Sequence, residues 1–152
     1  MSISVVDVAR FFIQKMQDSG NMSITKLMKF LYYAQGIHLA VYDEALFSEE
    51  LMAWQYGPVS PQVFNKFSKK GFEWFLDSDN AKQIDSEDVI KVLNAVWDSL
   101  GGLTAAALVE MTHQEDPWQQ TLQNQVITKD RLKGYFLQKA NEGILNEQKT
   151  SC

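Results

Sequence analysis

Ser23-Ile24-Thr25-Lys26-Leu27-Met28-Lys29-Phe30-Leu31-Tyr32-Tyr33-Ala34-Gln35-Gly36-Ile37-His38-Leu39-Ala40-Val41 is the stretch from which the fold can be read. Leu27, Met28, Leu31, Ala34 and Ile37 recur at helical spacing, and Phe30, Tyr33 and Leu39 extend the apolar surface around the cylinder. A helix that is apolar nearly all round is enclosed by its neighbours rather than laid on a surface. The stretch therefore predicts a central helix from Ile24 to Val41. Ser23 is its expected N-cap, because a serine hydroxyl accepts from an otherwise orphaned backbone N–H. Gly36 costs such a helix about 1 kcal/mol relative to alanine. The expected compensation is the close approach of another backbone.

Working outward, Val5, Val8, Ala9, Phe12, Ile13 and Met16 share one face of a first helix that Gly20-Asn21 ends. Asp43-Glu44 ends the central helix. Leu51 to Tyr56 reads as extended, and Gly57-Pro58 turns the chain. Ser60-Pro61 opens a third helix, since proline at the first helical position loses no hydrogen bond. Val59 and Phe64 staple its start, and Gly71 is expected to close it. Phe72 to Leu76 reads as a second short strand and Asp77 to Asp85 as a polar loop. Asp85 is expected to cap a fourth helix carrying Val89, Val92, Leu93, Val96, Trp97 and Leu100, which Gly101-Gly102 stops. Thr104 caps a fifth helix. Asp116-Pro117 repeats the cap-then-proline start, with Gln119 placed to close a capping box. Thr128 opens a last helix bearing Leu132, Tyr135 and Phe136, with Gly143 at its end. The class is mainly α: a single compact domain over 1–145 of about six or seven helices, with at most a small two-stranded β element. A flexible C-terminal tail is expected over 146–152.

The 152 residues suit one domain. A net charge of −5 argues against a general nucleic-acid binder, so no nucleic-acid partner is expected. Lys26, Lys29, Lys66, Lys69 and Lys70 read as a solvated face. Cys152 is the one cysteine and makes no internal disulfide, which suits a reducing cytoplasm. Met1 to Arg10 lacks the basic n-region of a secretion signal. Phe30 to Tyr42 is too short for a bilayer, so no membrane partner is expected either. The Asn21-Met22-Ser23 sequon, without an export signal, reads as a chance match.

Little in the chain invites chemistry. Its eight glycines form no phosphate-binding loop. Asp77-Ser78-Asp79-Asn80 begins like a calcium loop, but Ala81 and Lys82 then occupy a ligand position and the obligatory glycine. His38 and His113 are the two histidines, without paired spacing for a metal, and no cofactor is expected. His113 and Glu115 have the composition of an acid–base pair, yet no nucleophile or metal ligand accompanies them. The run Thr112-His113-Gln114-Glu115-Asp116-Pro117-Trp118 reads better as helix-end architecture, and no enzymatic activity is expected. Tyr33, Trp54 and Tyr56 are the preferred partner contacts, because Tyr and Trp dominate interfaces when partly exposed. His113 and Trp118 then act as the pin that orients the helices around them.

Four stretches in order carry a family resemblance: Asp7-Val8-Ala9; Lys26 to Ala40; Leu46-Phe47 with Ala53-Trp54-Gln55-Tyr56-Gly57-Pro58-Val59; and Thr112 to Trp118. Together they resemble the Panacea domain, the family of SocA-like antitoxins and phage-associated proteins, over roughly Ile3 to Phe136. Gly36, Gly57, Pro58, His113, Asp116, Pro117 and Trp118 are the structural residues of that pattern. Phe30 stands where leucine is usual and Ile37 where an aromatic is common. The resemblance implies a small cytoplasmic antitoxin that neutralises a cognate toxin, encoded nearby, by direct protein contact. It also implies alternatives, since one branch of the family serves as a proteolytic adaptor that hands a client to a protease. Other members are phage accessory proteins without a toxin partner. Neither the toxin nor the oligomeric state is legible.

Overall fold

A computed structural model describes residues 3–80 and 82–150, with the surroundings of side chains 78 and 143–150 left aside. Among the described residues the helices are α1 (Val5–Ser19), α2 (Ile24–Tyr42), α3 (Pro61–Leu76), α4 (Glu87–Leu100), α5 (Ala105–His113), α6 (Asp116–Gln119) and α7 (Lys129–Thr150). Three short strands, β1 (Leu51–Trp54), β2 (Gly57–Val59) and β3 (Val126–Ile127), make an antiparallel sheet in the order β2-β1-β3. Among the described residues no single helix is long and apolar enough to cross a membrane; α4 and α5 reach that apolarity only jointly, across a 107° bend.

The central helix is where the apolar pattern places it. Every residue of α2 from Lys26 to Gly36 is buried, and α1, α4, α5, α7 and β2 pack around it. Ser23 caps it by accepting from the Lys26 N–H, and Asp43 ends it in the left-handed region at φ 56°. Gly36 is the seat of α7: a Cβ there would stand 2.2 Å from the Phe136 ring. The close neighbour is thus an aromatic side chain, not the backbone expected from the sequence. α1 opens with a reciprocal Ser4–Asp7 capping box and buries the predicted stripe from Val5 to Met16.

Several expectations are corrected. Gly71 does not end α3. It takes φ 70° and ψ −174°, which glycine adopts without strain, and so joins two helical segments at a kink. Phe72 to Leu76 is helical rather than extended, and this places Phe75 in the core. Ser86, not Asp85, caps α4 by accepting from the Val89 N–H. Asp116 lies inside the single turn of α6. Glu115 holds the cap position without a side-chain cap, and Gln119 closes no box, its amide donating instead to His113 O at 2.8 Å. α7 runs past Gly143. The tail expected over 146–152, with Cys152, lies outside the residues whose side chains are described. The sheet has a third strand, because the segment after α6 returns to place Leu51 opposite Ile127 and Met52 opposite Val126.

Candidate functional site

The β1–β2 hairpin is held from beneath by α2 and from the side by the α5–α6 link. Trp118 donates its indole N–H to Trp54 O at 2.8 Å. His113 stacks on Trp118, ring centres 4.0 Å apart and planes 20° from parallel, and its Nε2 lies 3.1 Å from Gln55 O. A carbonyl only accepts, so Nε2 carries the proton in this contact. His113 and Trp118 therefore tie two successive hairpin carbonyls to the helix end. The sequence reading has this pair orienting helices; the contacts seen here run to the hairpin, and Tyr56 stands out at its turn, 65% exposed. Trp54 is half-buried, its ring edge-on to Phe64 at 5.4 Å.

Beneath the turn lies a group that the sequence reading put on the surface. Lys29 is 1% exposed, and its Nζ donates to Pro58 O at 3.2 Å. Among the described residues no carboxylate lies within 4.0 Å of it. Burial pushes the amine down to about 8, because a desolvated ammonium without a counter-charge gives up its proton readily. Gly57, at φ 118°, leaves the room this requires: a Cβ there would meet Lys29 Cε at 2.7 Å and Thr112 Oγ1 at 2.8 Å. Gly57 and Pro58, expected to turn the chain, instead form strand β2, the turn falling one step earlier at Gln55-Tyr56, and Pro58 supplies the carbonyl. Lys26 is buried as well, its Nζ donating to Gly101 O at 2.8 Å, and desolvation lowers its pKa. That carbonyl belongs to the C-cap of α4, the negative end of a helix dipole. The signal was present in the sequence: a helix apolar all round has no solvated side on which to place lysines.

Tyr33 is not available as a surface contact. It is 5% exposed and donates to one Glu115 oxygen at 2.9 Å, while Tyr32 donates to the other at the same distance. Burial is the main cause that raises both phenols, and the Glu115 charge adds to it. Glu115 is raised by desolvation, against which the two tyrosine hydrogen bonds act. Its carboxylate is thus a structural acceptor between α2 and α6, and the acid–base pairing with His113 loses its acid. Asp116 is exposed and Pro117 buried, as a helix start under a hairpin requires.

Two hollows flank α2. One, about 150 Å³, is walled by Ile24, Met28, Val59 and Phe64, with Trp54 and Tyr56 at the hairpin side and Lys29 at the inner end. The other, about 690 Å³ and polar, lies by His38, Tyr42, Glu44 and Asp88. His38 is held there by Glu44 O, 2.6 Å from its Nδ1. Among the described residues no three His, Cys, Asp or Glu side chains converge as metal ligands would. The smaller hollow is the candidate site, since it gathers Trp54 and Tyr56 around a buried charge. Sheet register sets Val59, Met52 and Val126 side by side across the three strands, so an apolar strip continues from it.

Comparison with known proteins bears on this face. Residues 27–119 match the family model described as Antitoxin SocA-like, Panacea domain. The match runs from α2 through α6. It takes in Lys29, Trp54, Tyr56, Gly57, Pro58 and the whole His113–Trp118 run, and leaves Asp7 to Ala9 outside. Antitoxin SocA of Caulobacter vibrioides (strain NA1000 / CB15N) is 29% identical over 104 residues, which cover 60% of this chain and 55% of that protein. The chain thus spans about half the length of that curated relative. No solved structure matches.

Proposed function

We propose, since this chain belongs to the family of SocA-like antitoxins with a Panacea domain, that it neutralises a toxin in the cytoplasm by direct protein contact. The family supports an antitoxin role, a toxin partner in general and a non-catalytic mode of action. The contact surface is the hairpin end of the molecule. The observation that carries this assignment is Tyr56, 65% exposed at a turn whose neighbouring carbonyls are tied down by Trp118 and His113. A large aromatic on a pre-ordered turn loses little entropy on docking, and the apolar hollow beside it supplies the desolvated centre that interface anchors need. Binding there would cover the toxin's working surface without any reaction.

Expression of the open reading frame adjacent to this chain's gene tests the proposal. Alone it should arrest growth; with this chain it should not, and the two proteins should co-purify. Tyr56→Ala should weaken the complex about tenfold, as loss of an interface anchor does, with the unfolding temperature unchanged. A harmless neighbour, or arrest that persists on co-expression, would remove the antitoxin reading for this chain. Rescue that disappears in a protease-deficient host would replace occlusion by delivery of the bound partner for degradation.

A further inference from the structure

We infer that the hollow beside Lys29 receives the C-terminal residue of a partner polypeptide, its branched or aromatic side chain among Ile24, Met28, Val59 and Phe64 and its α-carboxylate toward the Lys29 ammonium. The inference rests on the protein-contact reading above and names the chemistry of what is contacted. The size argues for one side chain: a volume of about 150 Å³ is that of an apolar cavity which takes a single benzene-sized group. The lining argues for an apolar one, since Ile24, Met28, Val59, Phe64 and Trp54 make most of the wall, with Thr25 and Tyr56 completing it.

Charge selects the rest of the guest. An ammonium has three N–H donors, and Lys29 places one on Pro58 O at 3.2 Å. With no carboxylate among the described residues within 4.0 Å, the amine is the one formal charge among the residues that line the hollow. A guest carboxylate would supply the missing counter-charge and a charge-assisted hydrogen bond. Because Lys29 is 1% exposed, that carboxylate has to enter together with the apolar group. A terminal residue carries both on one Cα and leads with them. An internal aspartate or glutamate brings its charge without the hydrocarbon, and its chain continues in both directions across the mouth. The low Lys29 pKa of about 8 agrees with a site awaiting an anion.

The test uses the full chain in an NMR titration with N-acetyl-L-leucine, N-acetyl-L-leucinamide and N-acetylglycine as probes. N-acetyl-L-leucine should shift the Met28 methyl, the Trp54 indole and the Lys29 ε-methylene. The uncharged amide should bind about tenfold more weakly, as loss of a hydrogen bond to a charged group predicts, and N-acetylglycine more weakly again. At saturation Lys29 should titrate well above its free value, and Lys29→Met should take the acid and the amide alike. Equal affinity of the wild-type chain for acid and amide overturns the inference, as do shifts that miss all three reporters. Since no toxin takes part, a failed titration leaves growth rescue standing. Failed rescue with an intact titration removes the antitoxin reading alone.

Discussion

The ammonium buried under the hairpin should make this protein more stable in alkali than at neutrality. Lys29 falls from 10.5 in the unfolded chain to about 8 in the folded one. At about 1.4 kcal/mol per pKa unit, carrying the charge inside costs roughly 3 kcal/mol wherever both states are protonated, that is below pH about 8. Between that value and 10.5 the native amine is neutral while the unfolded one still holds its proton. The unfolded state then binds more protons, so stability rises with pH. Of the roughly 3 kcal/mol, about 2 should be regained between pH 7 and 9.5, or roughly 4–8 °C in unfolding temperature for a chain of this size. Lys26, lowered by the same cause, adds in the same direction. The window must close near pH 10. There Tyr32, Tyr33 and Tyr135, all raised in the fold, lose their protons first in the unfolded chain and reverse the trend. The assay is thermal unfolding of wild type and Lys29→Met at half-unit steps. The variant gives up the bond to Pro58 O, so its absolute stability mixes two effects, whereas its slope reports the amine alone. Parallel slopes for the two proteins between pH 7 and 9.5 would refute the reasoning.

Glu115→Gln should act at the acid end. The raised Glu115 carboxyl contributes stability that is present below its unfolded pKa and lost as pH rises through the folded one. Wild type should therefore gain on Glu115→Gln as pH falls from 7 toward 4.5, and a pH-independent difference in unfolding temperature would contradict this. Gly36→Ala drives a methyl to within 2.2 Å of the Phe136 ring. It should cost about 1–3 kcal/mol by denaturant unfolding, with Phe136→Leu in the same chain restoring part of the loss; a neutral Gly36→Ala would mean that α7 is not seated there. Trp118→Phe removes the donor to Trp54 O. It should cost about 1–3 kcal/mol and speed hydrogen exchange at Ala53 and Asn124, the amides that join β1 to the β3 segment. Unchanged exchange would show that the pin does not hold the hairpin.

What could be read in advance follows from range. Caps and helical stripes act over three or four residues, so Ser23, Ser60 and Thr104 stand at their helix starts and the α2 pattern located the centre of the fold. Where a residue type satisfies two readings, local pattern fails. Gly71 can end a helix or bend it, and only the burial of Phe75 decides. Tyr33 can be a surface anchor or a buried donor, and the Glu115 carboxylate that settles it lies 82 positions away. β3 is two residues long, too short for any alternation to show. The lysines differ for another reason: by residue type Lys26 and Lys29 belong to a solvated face, but they sit on a helix that its neighbours enclose. A strand from Leu51 and a reversal close to Gly57 were legible, but the turn falls at Gln55-Tyr56, and Gly57 and Pro58 belong to β2. The charge beneath them was not legible.

The strand pairing that completes the sheet has a consequence for synthesis on the ribosome. Trp54 and Tyr56 emerge early, but the partners that order their hairpin follow much later: Trp118 with its indole, then Val126–Ile127 alongside β1. Contacts of such long sequence separation form late and slowly. A nascent chain that has just released these two aromatics therefore has no platform beneath them. The hairpin becomes ordered only once translation has passed Ile127, nearly the length of the domain after synthesis begins.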